Sequence, residues 1–280
     1  MNDKNINDSD KDLLDVDKSY CISLKKQEYK WDQILDKIHQ RGFPSCEIFE
    51  GILGSTYKDS DTSSILSVWQ EYILNFEKDR HNHEQFTTWG GLGCYLSHCE
   101  IWKDALKKGY KKIAVFEDDV FFRDSFNNKL EKNITNVPED CQLLLMGSYR
   151  LSSNPVEVDG SQTDVAHVSR FFGTHAYIIT DSAMIVLLSR AFPVEVQLDS
   201  FMSFMIKIYA IPAYDISGIC GQEMHVSNIQ TTCINCPNVD TDMSNGVISY
   251  LNFALTHHQS IIIIILTISI IFLISNQKQK

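Results

Sequence analysis

Apolar residues near the start of the chain alternate between the periods of a strand and of a helix. The segment Ser19–Leu24, SYCISL, predicts a short buried strand, and Lys30–Gln40 carries its apolar residues at helical spacing. The segment Cys46–Gly51, CEIFEG, predicts a second strand. A strand, a helix and a strand at this spacing form a βαβ unit, so the sequence predicts an α/β fold with a mostly parallel central sheet.

The stretch from Thr87 to Phe122 combines a helical pattern with a strand that ends in acids. From Gly93 to Leu106, apolar residues recur every three or four positions, which predicts an amphipathic helix that Gly109 ends. The run Ile113–Phe116 is wholly apolar and is followed at once by three acids. A continuous apolar run is typical of a central parallel strand that is buried on both faces.

The remaining chain has a less regular pattern. It predicts helices over residues 61–76, 127–137 and 194–207 and from Asp181 onward, strands over 141–148 and 170–180, and an edge strand over 208–214. Residues 78–85 and 152–164 are rich in polar side chains and predict loops, whereas residues 218–247 predict irregular structure.

The two ends of the chain differ from the globular segment, which we place at residues 19–247. Residues 1–18 are polar and acidic, where a secretory leader would be basic and then apolar, and they predict a solvated tail. The run Ile261–Ser275 carries no charge, and as a helix it spans about 22 Å against about 30 Å of hydrocarbon. We expect residues 251–275 to form a short hydrophobic helix that anchors the protein to a membrane, single-pass and C-terminal. The flanking charges leave the side of the membrane open, and a buried core helix is the alternative.

Composition narrows the class of partner. The hydrophobic content of 44% fits a folded globule, and the formal net charge of −11 argues against nucleic acid, which binds clustered Lys and Arg. A nucleotide ligand stays open, because one bound metal ion neutralises a diphosphate locally. Cys220, His225, Cys233 and Cys236 suggest a zinc site, but no second pair completes a standard pattern, and ordinary buried or loop cysteines are the alternative.

Three consecutive acids, Glu117, Asp118 and Asp119, follow the apolar strand. In open α/β sheets, ligands bind beyond the carboxyl ends of the strands. An extended chain would point Glu117 and Asp119 to one side and Asp118 to the other. Adjacent carboxylates repel one another unless a cation holds them, and Mn²⁺ or Mg²⁺ prefers such oxygen ligands. The sequence therefore predicts a metal site that stabilises a departing nucleoside diphosphate, with a solvated acidic turn as the alternative.

Two neighbouring motifs resemble glycosyltransferase family 25, which includes lipooligosaccharide and procollagen galactosyltransferases. They are GCYLSHCEIW at Gly93–Trp102 and IAVFEDDVFF at Ile113–Phe122, and weaker similarities extend the resemblance over roughly residues 19 to 230. The resemblance implies a GT-A-like nucleotide-sugar-binding fold, a UDP-sugar donor carrying galactose or glucose, and Mn²⁺ dependence. It also implies inversion at the anomeric carbon, which needs a general base to take the proton of the acceptor hydroxyl.

The resemblance assigns roles to the acids and to the preceding helix. Asp119 is the expected metal ligand, and Glu117 or Asp118 helps to hold the metal or the ribose of the donor. Ser97 and His98 match the family's Ser-His pair and could line the donor pocket. A histidine on a half-buried helix is also often structural, so both interpretations stay open.

Further along the chain, the resemblance implies a base and a pocket wall. Asp199 matches an acid of the family and is the candidate base, although an acid at a helix N-terminus also has a purely structural explanation. Gly173 and Thr174 match the pocket wall, where a glycine permits close approach of the sugar.

Three positions depart from the family pattern and put the detail of donor recognition in doubt. Ser23 stands where the family usually has Asn, Lys30 lies near its Arg, and Gly91 replaces an acid. The leading interpretation is a metal-dependent transferase that acts on a glycan, lipid-linked glycan or protein acceptor at a membrane. A catalytically inactive nucleotide-binding domain and a structural membrane-displayed domain are the alternatives. A metal-dependent phosphohydrolase is disfavoured, because the sequence shows no second set of His or Asp ligands at a convincing spacing.

Overall fold

The computed structural model of the chain describes residues 15–80, 82–216 and 218–223. By its internal contacts the chain divides into two compact units, Met1–Cys236 and Pro237–Lys280, and the described residues belong to the first unit. Within the described residues, no helix combines the length and the apolar composition needed to cross a membrane.

Several predictions fall beyond this part of the chain. The expected membrane anchor at residues 251–275 and most of the acidic tail lie outside the described residues. Of the suggested zinc ligands, only Cys220 is described; His225, Cys233 and Cys236 are not.

The strands of the described residues form a six-stranded sheet and a two-stranded ribbon. They are β1 (Lys18–Ser23), β2 (Cys46–Glu50), β3 (Lys112–Glu117), β4 (Val120–Phe122), β5 (Leu143–Val158), β6 (Ser161–Thr180), β7 (Ala213–Ile216) and β8 (Cys220–Gln222). The main sheet has the order β2-β1-β3-β6-β5-β7, and β4 pairs with β8. Strand β1 is parallel to β2 and β3, β5 is parallel to β7, and β6 is antiparallel to its neighbours. Since five of these six strands share one direction, the predicted mostly parallel α/β sheet is confirmed.

Helices cover both faces of the main sheet. They are α1 (Trp31–His39), α2 (Val68–Phe76), α3 (Trp89–Lys108), α4 (Phe126–Ile134), α5 (Asp181–Leu188) and α6 (Leu198–Tyr209), with 3₁₀ turns at Lys25–Lys30 and Gly54–Tyr57. Apolar residues of α1 and α4 pack with β3 and β6 in one core, and α3 and α6 contact β6 from the opposite face. The helix predicted over Gly93–Leu106 is confirmed as α3, which is twenty residues long. Gly109, with a φ of 78°, ends it.

Two predicted helices begin later in the chain than the apolar pattern suggested. The helix expected over residues 61–76 begins at Val68, because Ser67 accepts a hydrogen bond from the Gln70 N–H and caps it. The helix expected over residues 194–207 begins at Leu198. The segments before these helices meet instead, since Leu66 and Val194 form an isolated parallel bridge.

The prediction of a polar loop over residues 152–164 is wrong. Strands β5 and β6 continue through this segment as a hairpin, with Val158 opposite Ser161. The turn residues Asp159 and Gly160 have φ values of 50° and 75°. Positive φ at both central residues is the geometry of the tight hairpin turn that Asp-Gly favours, so the polar composition concealed a turn signal.

Candidate active site at the end of strand β3

The acid cluster lies where β3 ends. Successive strand side chains point to opposite faces of a sheet, and Ala114 and Phe116 belong to the core formed with α1 and α4. Glu117 therefore points to the opposite face, toward α3. The chain turns directly after Glu117, so the strand alternation does not extend to Asp118 and Asp119. The three carboxylates consequently contact three different parts of the fold.

Glu117 is held by donors from β6 and α3. The Thr174 hydroxyl donates to Glu117 Oε1 at 2.7 Å, and His98 Nε2 lies 3.3 Å from the same oxygen. Burial alone would raise the pKa of Glu117, but His98 and Thr174 stabilise its charge and hold the pKa below its usual range. The structure thus brings together three residues that the resemblance assigned to the donor pocket.

Asp118 contacts the end of β1 and the turn that follows it. Its Oδ2 accepts a 2.6 Å hydrogen bond from Ser23 Oγ, which in turn accepts one from the indole N–H of Trp31 at 2.8 Å. Lys30 Nζ lies 3.7 Å from the same carboxylate oxygen. Ser23 and Lys30, two of the departures from the family pattern, therefore both contact the acid cluster.

Asp119 faces β8 and is incompletely satisfied. The Gln222 side-chain amide donates to Asp119 Oδ2 at 2.9 Å, whereas the buried Oδ1 finds no hydrogen-bond partner among the described residues. Burial raises the pKa of Asp119 to about 7, and the charges of Glu117 and Asp118 add to this effect. Asp119 is therefore the member of the cluster that most lacks a counter-charge.

These observations fit a bound divalent cation. A hard cation prefers carboxylate oxygens, and it would give the buried Asp119 Oδ1 the partner that the described residues do not supply. It would also relieve the repulsion that raises the pKa of Asp119. Glu117 also belongs to a group formed with Cys94 and His98, whose ligand atoms lie within 4.8 Å of one another.

Strand β6, which binds Glu117 through Thr174, also binds the candidate base Asp199. Asp199 lies in the first turn of α6, and its Oδ2 accepts a hydrogen bond from the Gly173 N–H at 2.8 Å. Gly173 has a φ of 82°, a left-handed conformation in which a side chain would be strained. Burial raises the pKa of Asp199 to about 6, although the N–H groups of Gly173 and Ser200 oppose the shift. Gly173 and Thr174, adjacent on β6, thus connect Asp199 with Glu117.

Ser97 differs from the other predicted donor residues, because its hydroxyl contacts backbone. Ser97 Oγ donates to the carbonyl of Gly93 at 2.6 Å and accepts from the N–H of Ile52 at 2.8 Å. A side chain at Gly93 would meet the Ile52 carbonyl at 2.4 Å, so the chain after β2 lies directly against α3. In this structure Ser97 fixes that loop, and its contact with a donor stays a prediction.

Sequence reasoning missed three side chains around the cluster. Gln222 contacts Asp119, and Arg80, which is buried, interacts electrostatically with Asp199. His175, next to Thr174, is buried with both ring nitrogens unpartnered among the described residues, and burial lowers its pKa. The segment FFGTHAYIIT contained this histidine, but only the tertiary structure shows that it is buried beside the site.

The fold and site define an α/β domain with a carboxylate cluster at the carboxyl end of a central strand. The family model for glycosyltransferase family 25 (LPS biosynthesis protein) matches residues 16–202. The chain belongs to this family, and the resemblance noted in its sequence is confirmed.

Curated relatives are similar over parts of their length. Human procollagen galactosyltransferase 2 is 24% identical over 208 residues, which are 72% of this chain and 32% of the relative. Mouse inactive glycosyltransferase 25 family member 3 is 30% identical over 124 residues, 44% of this chain and 20% of the relative. This chain therefore spans about a third of the human relative. Among solved structures, UDP-glucose pyrophosphorylase complexed with UDP-glucose gives a TM-score of 0.36 at 12% identity, covering 86% of this chain and 98% of that one.

Proposed function

We propose that the chain is a metal-dependent inverting glycosyltransferase. It moves a hexose, galactose or glucose, from a UDP-sugar to a hydroxyl group of a glycan, lipid-linked glycan or protein. The family membership supports transfer of a sugar, and the name of the human relative favours galactose.

The observation that carries this proposal is the link between the acid cluster and Asp199 through two adjacent residues of β6. The Thr174 hydroxyl binds Glu117, and the Gly173 N–H binds Asp199. An inverting transfer needs a base on the side of the sugar opposite the leaving group. A sugar that lies along Gly173 and Thr174 would have the acid cluster at one end and Asp199 at the other.

The residues have distinct roles in this proposal. Asp119, helped by Glu117, would hold Mn²⁺ or Mg²⁺, and the ion when bound supplies positive charge to the leaving diphosphate. Asp199 accepts the proton of the acceptor hydroxyl, because a pKa of about 6 leaves it mostly ionised near neutral pH while keeping it basic. The N–H groups of Gly173 and Ser200 and the Ser200 hydroxyl fix its orientation, and the second lone pair of Oδ2 would receive the acceptor proton.

A catalytically inactive nucleotide-binding domain is the second candidate. One observation favours it: Ser23 and Lys30, which depart from the family pattern, both contact Asp118. If Lys30 neutralises Asp118 without serving the donor, the cluster could bind a nucleotide and not turn it over. A mouse relative is itself named an inactive member of the family, which supports this candidate.

Donor hydrolysis tests the proposal on the full chain. Purified protein is incubated with a panel of UDP-sugars, with Mn²⁺, with Mg²⁺ and with a chelator, and release of UDP is followed. We expect metal-dependent release from UDP-galactose or UDP-glucose that Asp119→Asn abolishes. The exposed Asp124 provides the matched control, since Asp124→Asn removes an equal charge outside the cluster. Calorimetric binding of UDP with Mn²⁺ but no release would establish the inactive alternative, and the absence of both would reject a donor site.

Membrane attachment is a separate proposal, which rests on the uncharged run Ile261–Ser275. The full chain should float with neutral phosphatidylcholine vesicles in a density gradient. The double variant Ile264→Arg, Ile271→Arg should stay at the bottom, because charge in an apolar segment opposes insertion. Equal flotation of both proteins would contradict this proposal without affecting the proposed reaction.

A further inference from the structure

We propose that Tyr177 is a positioning residue for the acid cluster: through His98 it fixes the orientation of the Glu117 carboxylate. The expected effect on metal and donor binding rests on the proposed function. The link from Tyr177 through His98 to Glu117 rests on the contact geometry alone. The sequence alone assigned Tyr177 and Trp102 no role in the reaction. Both side chains are buried, and their hydrogen bonds link them to the site through His98.

The spacing of residues along β6 and α3 brings the side chains of Tyr177, Trp102 and His98 together beside Glu117. Tyr177 is paired with Val115 of β3, on the sheet face opposite the Ala114 and Phe116 core, and so points toward α3. His98 and Trp102 are one helical turn apart on α3, so their side chains lie on the same face of that helix. His98, Trp102 and Tyr177 are fully buried, which removes competition from water.

The contacts form a chain of hydrogen bonds with one direction. The indole N–H of Trp102 donates to the Tyr177 hydroxyl at 3.1 Å, and this hydroxyl lies 2.8 Å from His98 Nδ1. Since the indole can only donate, the Tyr177 oxygen accepts there and its own hydrogen is free to donate to Nδ1. His98 then carries its proton on Nε2, which lies 3.3 Å from Glu117 Oε1.

The opposite tautomer is electrostatically unfavourable. With the proton on Nδ1, the Tyr177 oxygen would receive two N–H groups, and Nε2 would turn a lone pair toward a carboxylate 3.3 Å away. With the proton on Nε2, the imidazole and Thr174 both present hydrogens to Glu117 Oε1. Both donors therefore act on one oxygen of Glu117, and Oε2 remains available for a ligand.

The 3.3 Å contact of Nε2 with Glu117 Oε1 does not have the geometry of a hydrogen bond, and Nε2 has no hydrogen-bond partner among the described residues. Such contacts commonly shorten when a site binds its ligand. Cys94, His98 and Glu117 offer ligand atoms within 4.8 Å of one another, and a thiolate, an imidazole and a carboxylate could together bind a soft metal. A metal on Nε2 needs the lone pair of that nitrogen, so His98 would have to carry its proton on Nδ1. The tautomer of His98 therefore distinguishes a donor to Glu117 from a ligand of a soft metal.

Two measurements on the full chain test the inference. First, ¹⁵N-histidine NMR of the metal-free protein reports the tautomer of His98, assigned by its loss in His98→Gln. We expect the Nε2–H form in the wild type and a changed tautomer population in Tyr177→Phe. An Nδ1–H form, or protonation of both nitrogens, in the wild type would overturn the proposal.

Second, calorimetry measures the affinity for Mn²⁺ with UDP. Removal of a group that orients a metal ligand typically weakens metal affinity about 10- to 100-fold, and we expect a loss of this size in Tyr177→Phe. Tyr95→Phe is the matched control, because it removes another buried hydroxyl, one that donates to the Ala191 carbonyl at 2.8 Å. Both variants should lose similar stability, but only Tyr177→Phe should lose affinity.

Equal affinities for the two variants would show that Tyr177 serves stability alone and would overturn the inference. Failure of the proposed function is distinguishable from this result. If the wild type binds no UDP with Mn²⁺, the donor site is rejected, while the NMR measurement on metal-free protein still tests the link between Tyr177 and His98.

Discussion

The two sides of the acid cluster have opposite electrostatic surroundings although they are two residues apart in the chain. On the α3 side, Glu117 receives donors from His98 and Thr174, and its pKa is lowered. On the β8 side, the described residues give Asp119 one amide donor and leave its buried Oδ1 without a partner, and burial raises its pKa to about 7. The same residue chemistry thus gives a satisfied acid and an unsatisfied one.

This difference separates a carboxylate that the protein itself orients from one that has few partners of its own. A buried carboxylate with well-placed donors stabilises the fold, whereas one that lacks them destabilises it until a ligand supplies positive charge. Residues of the fold thus orient the Glu117 carboxylate, whereas Asp119 has the surroundings expected of the cation site that we propose. Perturbed pKa values are frequent at functional sites for this reason.

The largest expected loss of turnover in this comparison concerns Asp199, which Gly173 and Thr174 connect with Glu117. Asp199→Asn should reduce turnover by about 10²- to 10⁴-fold, the usual contribution of a general base, with little change in the affinity for UDP and Mn²⁺. UDP release in the presence of an acceptor and calorimetry measure the two quantities. The asparagine keeps an oxygen for the Gly173 N–H, so the fold should be retained.

Asp181 provides a matched control for this change. It is also an acid in the first turn of a helix, and it accepts the N–H of Ser182 at 2.7 Å. Asp181→Asn weakens this helix contact and a 2.7 Å ion pair with Lys111, so it should lower stability without affecting turnover. If both variants reduce turnover to the same extent, the effect comes from helix stability, and Asp199 is a structural acid.

The second prediction compares Glu117 and Asp119 directly. Glu117→Gln should lower the free energy of unfolding by about 1–3 kcal/mol, because it removes the charge that accepts the Thr174 hydrogen bond and faces His98 Nε2 at 3.3 Å. Asp119→Asn should raise it at pH 8, because a buried and repelled charge is removed. Denaturant unfolding of the metal-free proteins measures both changes. Destabilisation by both substitutions would contradict the distinction between the two sides.

Much of the fold could be predicted from the sequence because its elements carry local signals. The apolar run of β3, the period of α3 and the glycine that ends it are readable without tertiary structure. The hairpin of β5 and β6 escaped prediction because its strands extend through polar sequence, where turn chemistry and not hydrophobicity is the signal.

The candidate site was predictable in its residues but not in its contacts. The position of the acids at a strand end identified Glu117, Asp118 and Asp119. Their separate partners depend on the turn after β3 and on Gln222, which is more than a hundred residues away in the chain. Likewise, the orientation of His98 depends on Tyr177, and no local pattern records a contact between residues 79 positions apart.

The smallest expected effect is the pH dependence of stability. The pKa values of Asp119 and Asp199 are raised to about 7 and about 6, whereas in the unfolded chain such carboxyls ionise near pH 4. Between these values the folded protein binds protons that the unfolded protein does not. The metal-free protein should therefore gain about 1–2 kcal/mol of stability from these two groups as the pH falls from 8 to 6.

Comparison with Asp119→Asn isolates the contribution of Asp119. His175, whose pKa is lowered by burial, opposes the gain in both proteins, because the unfolded chain protonates this histidine more readily. Denaturant unfolding at pH 8 and pH 6 should thus give the wild type a gain about 1 kcal/mol larger than that of the variant. Equal gains would mean that Asp119 is already ionised at pH 6, as Glu117 is. The two sides of the cluster would then not differ in charge stabilisation, and the electrostatic argument for a cation at Asp119 would fail.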